Sequence, residues 1–134
     1  MDILFLDANV LFSAAYQEKA GIQQLWKIPQ IKLITSAYAA AEARRNLKTA
    51  EQIARLDQLL TAMQVIAVEY TEHLFAEEKI SLPDKDKPIF AAAVAAKATY
   101  LITGDFKDFG CYFGQTIADI TILPPAKYFL KISL

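Results

Sequence analysis

The segment Ile3-Leu4-Phe5-Leu6-Asp7-Ala8-Asn9-Val10-Leu11 sets the pattern for the whole chain. Ile3 to Leu6 is short, apolar at every position and rich in β-formers, which marks a strand buried on both faces. Asp7 ends the run. Asn9 to Tyr16 then carries a helical pattern, so the chain passes from a buried strand straight into a helix.

The same alternation recurs downstream. Gly21 to Ile28 places Ile22, Leu25 and Trp26 at helical spacing before Pro29 stops it. Ile31 to Thr35 is a second strand, and Ser36 is a natural N-cap for an Ala-rich helix through about Asn46. Thr49 with Gln52 forms a capping box ahead of Ile53, Leu56, Leu59, Leu60 and Met63, which recur with the helical period. Val65 to Val68 is a third strand, and Thr71 to about Lys79 a further helix. Pro88 sits in the first turn of an Ala-rich helix through Ala98. Tyr100 to Thr103 and Ala118 to Leu123 are the fourth and fifth strands, with a closing helix near Lys127 to Leu130 behind Pro124 and Pro125. Apolar strands alternating with helices predict an α/β fold: a three-layer α/β/α sandwich on a mostly parallel sheet of about five strands.

Composition removes several classes. With 134 residues, the chain is expected to form one domain over 1–134, burying roughly two thirds of its unfolded surface. A hydrophobic share of 54% with 22% charge excludes disorder, and 4 Gly and 5 Pro leave no room for long linkers. The longest apolar run, Ile89 to Ala96, is far short of the roughly 18 residues that span a bilayer. The opening Met1-Asp2 presents an acid where a secretory signal wants basic charge, so a cytoplasmic location away from membranes is expected. Cys111 and His73, the sole residues of their types, form neither an internal disulfide nor a zinc set, and no role is assigned to them. The net charge of −1 gives no global attraction for a polyanion. Such a partner must be held locally, and a bound metal ion supplies positive charge that residue counts miss.

Four acids define where that would happen. In open parallel sheets, ligands bind outside the carboxyl ends of the strands. Asp7 ends the first strand, and Asp105 follows the fourth within Thr103-Gly104-Asp105. Asp86 precedes a helix that returns to start a parallel strand, which puts it at the same edge. Glu42 lies about six residues past its helix cap, on the order of 9 Å along the axis. Topology alone therefore gathers Asp7, Glu42, Asp86 and Asp105. Two carboxylates about 5 Å apart repel by roughly 3 kcal/mol at an effective dielectric near 20. Either protons are shared or a hard divalent cation binds, and an all-carboxylate set suits Mg²⁺ or Mn²⁺. Such a cation favours phosphodiester hydrolysis. Each acid also has a plainer explanation: Asp7, Asp86 and Asp105 stand where Asp commonly caps helices or turns, and Glu42 where a solvated helix residue would. Asn9 is expected in a first turn, either orienting Asp7 or simply starting the helix.

The opening Leu4 to Leu11 and the block Leu82-Pro83-Asp84-Lys85-Asp86-Lys87-Pro88-Ile89-Phe90-Ala91-Ala92-Ala93 running into Tyr100-Leu101-Ile102-Thr103-Gly104-Asp105 resemble the PIN-domain nucleases. The resemblance covers nearly the whole chain and is closest to the VapC-like toxin ribonucleases of toxin-antitoxin pairs. It implies that Asp7, Glu42, Asp86 and Asp105 are the catalytic, metal-binding acids, with Thr103 supporting them. Asp84 competes with Asp86 for the third position, although Asp86 has the better spacing to Pro88. Asp108 is an auxiliary ligand or a loop acid, the latter being favoured.

The function expected from the residues and the resemblance is a Mg²⁺- or Mn²⁺-dependent endoribonuclease acting on single-stranded RNA. The resemblance further implies a cognate antitoxin protein and a homodimer. Arg44, Arg45 and Lys107, with Lys48, Lys85 and Lys87, are either RNA phosphate contacts or ordinary surface charge. Tyr38, Phe106 and Phe109 either stack on bases or belong to the core. A catalytically weak or inactive PIN-like RNA- or protein-binding module is the alternative, though such a module need not keep repelling carboxylates. A phospho-acceptor receiver domain shares an acidic Mg²⁺ pocket, but Val65 to Val68 lacks a terminal Asp and the strand before Pro124 offers no Lys.

Overall fold

The computed structural model describes residues 1–132. Its centre is a six-stranded sheet in the order β3-β2-β1-β4-β6-β5, formed by β1 (Asp2–Leu6), β2 (Ile31–Ser36), β3 (Gln64–Ile66), β4 (Tyr100–Ile102), β5 (Thr116–Ile117) and β6 (Ile120–Leu123). All neighbours are parallel except β5 against β6. The helices are α1 (Ala8–Tyr16), α2 (Ala37–Asn46), α3 (Ala50–Leu60), α4 (His73–Glu78), α5 (Lys87–Ala95), α6 (Phe106–Phe109) and α7 (Pro125–Ile132).

Successive strand residues point to opposite faces of a sheet. Leu4, Phe5 and Leu6 of β1 are all fully buried, as are Leu101 and Ile102 of β4. Both faces of the sheet centre are therefore covered, which makes the architecture the expected three-layer α/β/α sandwich. Ile89 and Phe90 of α5 and Tyr128 of α7 add fully buried bulk. The Tyr128 hydroxyl donates to Asp2 Oδ2 at 2.9 Å, tying the last helix to the first strand.

The sheet has one more strand than the sequence pattern indicates. Ala118 and Asp119, expected in the fifth strand, instead have φ of 52° and 65° and form a tight turn. That turn folds β5 back on β6 with Ile117 opposite Ile120. Positive φ at both central residues is the geometry of a type I′ hairpin, normally announced by Asn-Gly or Asp-Gly, and Ala-Asp gives no such signal. The helices differ in detail too: α4 starts at His73 rather than Thr71, and α7 runs from Pro125 to Ile132 rather than from near Lys127 to Leu130. Gly21–Lys27 is a 3-10 helix. α5 stops at Ala95, because Lys97 enters the left-handed region at φ 54° and Ala98 N–H bonds back to the Ala93 carbonyl, a C-terminal closure of the Schellman type.

The strand order places the site. From β1 the chain moves outward through β2 and β3, then returns to the other side of β1 as β4. Adjacent strands whose connections leave in opposite directions open a crevice at their carboxyl ends. Leu6 is in register with Ile102, so Asp7 and Thr103 emerge side by side at that crevice. Among the described residues, no helix is long and apolar enough to cross a membrane.

Candidate functional site

Asp7 ends β1 and caps α1, accepting from Ala8 N–H at 2.6 Å through Oδ1. Its Oδ2 accepts from the Thr103 hydroxyl at 2.7 Å and from Asn9 Nδ2 at 3.1 Å. The carboxyl group is almost wholly buried, and this loss of hydration raises its pKa to about 6 against the hydrogen bonds that favour the anion. The nearby charges of Glu42 and Asp105 push the same way.

Thr103 is the hub beneath these groups. Its hydroxyl donates to Asp7 and accepts from Asp105 N–H at 3.1 Å and from Asn9 Nδ2 at 3.3 Å. Asn9 also accepts from Gly104 N–H at 2.8 Å, so the turn after β4 is strapped to the start of α1. Replacing the Thr103 hydroxyl by a methyl group leaves Asp105 N–H without this acceptor and Asp7 Oδ2 without its shorter hydrogen bond. Thr103→Val is expected to lower unfolding free energy by about 1 to 3 kcal/mol, the cost of unsatisfied buried polar groups. Urea denaturation of the metal-free protein measures it.

Asp105 caps the short α6, its Oδ1 accepting from Asp108 N–H at 3.0 Å. Asp86 differs from both capping acids. It stands at the cap position of α5 yet makes no side-chain cap hydrogen bond, although its side chain is only 8% exposed. Burial is the main cause that lifts its pKa to about 7, with the Asp108 carboxyl next, while Lys85 opposes the rise. The plain capping explanation thus accounts for Asp7 and Asp105 in part and for Asp86 not at all.

Asp84, two residues before Asp86, has a 96% exposed side chain paired with Lys87 at 3.2 Å and does not line the cleft. Asp108 is brought in rather than left on a loop. Oxygens of Asp86, Asp105 and Asp108 all lie within 4.8 Å of one another. The hydrogen bond with Asp86 is the main reason the Asp108 carboxyl is held below the ordinary carboxylate range.

Asp7, Glu42, Asp86 and Asp105 all line one cleft of about 420 Å³, together with Asn9, Phe12, Asn46 and Lys85. Phe12 and Asn46 have no counterpart in the sequence reading. Asn46 lies four residues beyond Glu42, so the helical period would have put it on the same face. The basic candidates separate by position. Arg44 is paired with Asp57, and Arg45 and Lys107 are exposed without lining the cleft. Lys85 lines it, and its main-chain carbonyl accepts from the Tyr38 hydroxyl at 2.8 Å. Phe109 is fully buried core, whereas Phe106 is 73% exposed beside Asp105.

The donor set is carboxylate oxygen throughout, with further amide oxygens from Asn9 and Asn46 near by. Hard oxygen donors lining one cleft, with no sulfur or imidazole among them, fit a hard divalent cation of the Mg²⁺ or Mn²⁺ kind better than a softer metal.

Comparison with known proteins agrees with this architecture. A family model described as PIN domain matches residues 4–107. Comparison with curated protein sequences gives no match. Among solved structures, VapBC2 from Rickettsia felis bound to a DNA fragment from its promoter aligns at TM-score 0.62 and 17% identity, over 91% of this chain and 98% of that one. A toxin-antitoxin complex from Klebsiella pneumoniae aligns at 0.60 and 23%, over 91% and 97%. VapC20 from Mycobacterium tuberculosis, a Sarcin-Ricin loop cleaving toxin, aligns at 0.52 and 18%, over 77% and 92%.

Proposed function

The chain belongs to the PIN-domain family, and on that footing we propose that it is a metal-dependent endoribonuclease that hydrolyses phosphodiester bonds of single-stranded RNA, as the toxin of a toxin-antitoxin pair. The observation that carries this reading is the convergence of Asp7, Glu42, Asp86 and Asp105 on one cleft. A fold does not require four mutually repelling acids in one place, whereas cation chemistry does.

Asp7, Asp86 and Asp105, with Glu42, are the residues that would hold Mg²⁺ or Mn²⁺. A cation of this kind, when bound, polarises a phosphoryl oxygen and lowers the pKa of water. The chain's own groups do the rest. Thr103 and Asn9 fix the Asp7 carboxylate through the hydrogen bonds described. Glu42, which lines the same cleft, positions the attacking water and takes its proton. The water displaces the 3′ oxygen of the scissile phosphodiester. Arg45 and Lys107, exposed outside the cleft, and Arg44 once released from Asp57, are the cations that would contact backbone phosphates beyond the scissile bond, which neutralises the strand without reading its sequence. The toxin-antitoxin complexes among the structural neighbours support a cognate antitoxin that covers the cleft, and a homodimer is the assembly proposed for the toxin itself.

The test is a cleavage assay on end-labelled single-stranded RNA. Purified protein with Mn²⁺ or Mg²⁺ is expected to cut it, and chelator is expected to abolish cutting. RNA left intact with either metal, or cut equally well in chelator, would falsify the mechanism.

A further inference from the structure

Lys85 reaches across the acidic cluster. Its Nζ lies 2.9 Å from Asp108 Oδ2, 3.3 Å from Asp86 Oδ2 and 3.9 Å from Asp105 Oδ2. These are the same three carboxylates whose oxygens approach within 4.8 Å of one another. One ammonium group therefore faces the spot where negative charge is densest, and two of its three partners are acids assigned above to the cation.

The side chain and the backbone of Lys85 are constrained differently. Its carbonyl is held by the Tyr38 hydroxyl at 2.8 Å, and the next residue, Asp86, starts α5. The side chain, by contrast, is 61% exposed, so four rotatable carbons can carry the ammonium out of the cleft at little steric cost. A fixed root with a free arm is what a displaceable charge requires. Asp108, which shares its shortest contact, keeps the arm at the cleft mouth.

We propose that Lys85 is a tethered counter-cation: its ammonium competes with the divalent cation for Asp86 and Asp105, and so weakens cation binding while neutralising the metal-free cleft. Lys85 is a positioning residue in this account, and Asp108 is its anchor rather than a ligand. The inference rests on the proposed metal-dependent site, and the experiment separates the two.

Calorimetric titration with Mn²⁺ compares the parent with Lys85→Met, Lys85→Gln and, as a control for net charge, Lys127→Met on the exposed face of α7. Both Lys85 variants are expected to bind Mn²⁺ about fivefold more tightly or better, the effect of removing a partly exposed ion pair that competes. Their metal-free forms are expected to melt at lower temperature than the parent and to regain the difference when Mn²⁺ is added. Lys127→Met is expected to move neither quantity. If the parent binds Mn²⁺ and both Lys85 variants bind it equally or more weakly, the counter-cation role is wrong while the metal site stands. If no form binds Mn²⁺, the metal-dependent reading fails and this inference with it.

Discussion

Asp86→Asn is expected to cut RNA cleavage by about a thousandfold, equivalent to about 4 kcal/mol of lost transition-state stabilisation, a usual contribution from a metal-held charge. The effect should fall on chemistry and not on folding. The Asp86 side chain makes no cap hydrogen bond to α5. That helix is set instead by Pro88 in its first turn and by the fully buried Ile89 and Phe90. Asn keeps the volume and shape of Asp but has no charge and offers one oxygen where the acid offers two. Single-turnover cleavage of labelled RNA measures the rate, and circular dichroism establishes that the variant is folded. Asp84→Asn is the informative contrast, because its exposed carboxylate pairs with Lys87 away from the cleft and its loss should leave cleavage unchanged. Comparable rates for Asp86→Asn and the parent would remove Asp86 from the site.

The contrast between Asp84 and Asp86 also shows what a sequence can and cannot say about such a site. Strand and helix alternation was enough to put Asp7, Asp86 and Asp105 at one sheet edge, because the direction of a parallel strand fixes which end each acid occupies. A supporting role for Thr103 came only from the family resemblance, and its bond to Asp7 depends on Leu6 lying in register with Ile102, which is not written in either segment alone. The approach of Asp108 to Asp86 and Asp105 is hidden for a related reason. A short helix, α6, begins at Phe106 and turns its carboxylate back toward Asp86. Four residues give too little periodicity to reveal a helix. The extra strand β5 was hidden in the same way, by a turn at Ala118 and Asp119 whose side chains are unusual for its backbone. Local chemistry was legible where it followed from strand direction, and was lost where it followed from one-turn elements.

Metal-free protein is expected to lose stability as pH rises from about 4 to about 7, the reverse of ordinary acid denaturation. The sign follows from Asp7, whose ordinary value of 3.8 is raised to about 6 in the folded chain. Between these two values the folded state keeps a proton that the unfolded state has released, so stability falls with each increment of pH in that window and the contribution is gone above it. For a group this deeply buried the full effect is about 3 kcal/mol, which corresponds to a drop in Tm on the order of 10 °C for a domain of this size. Asp86, raised to about 7, acts in the same direction and extends the window upward. A divalent cation binds the deprotonated carboxylates, so it should restore stability at pH 8 and do little at pH 4.5. Thermal melts at pH 4.5, 6 and 8, with Mn²⁺ or with chelator, check both halves of the expectation. The same melts on Asp7→Asn isolate its share, since the amide cannot titrate and the slope between pH 4.5 and 6 should fall to the part that Asp86 contributes. A parent protein that gains stability across that interval in chelator, with Asp7→Asn following the same curve, would show that Asp7 ionises as an ordinary surface acid and that burial does not hold its charge in check.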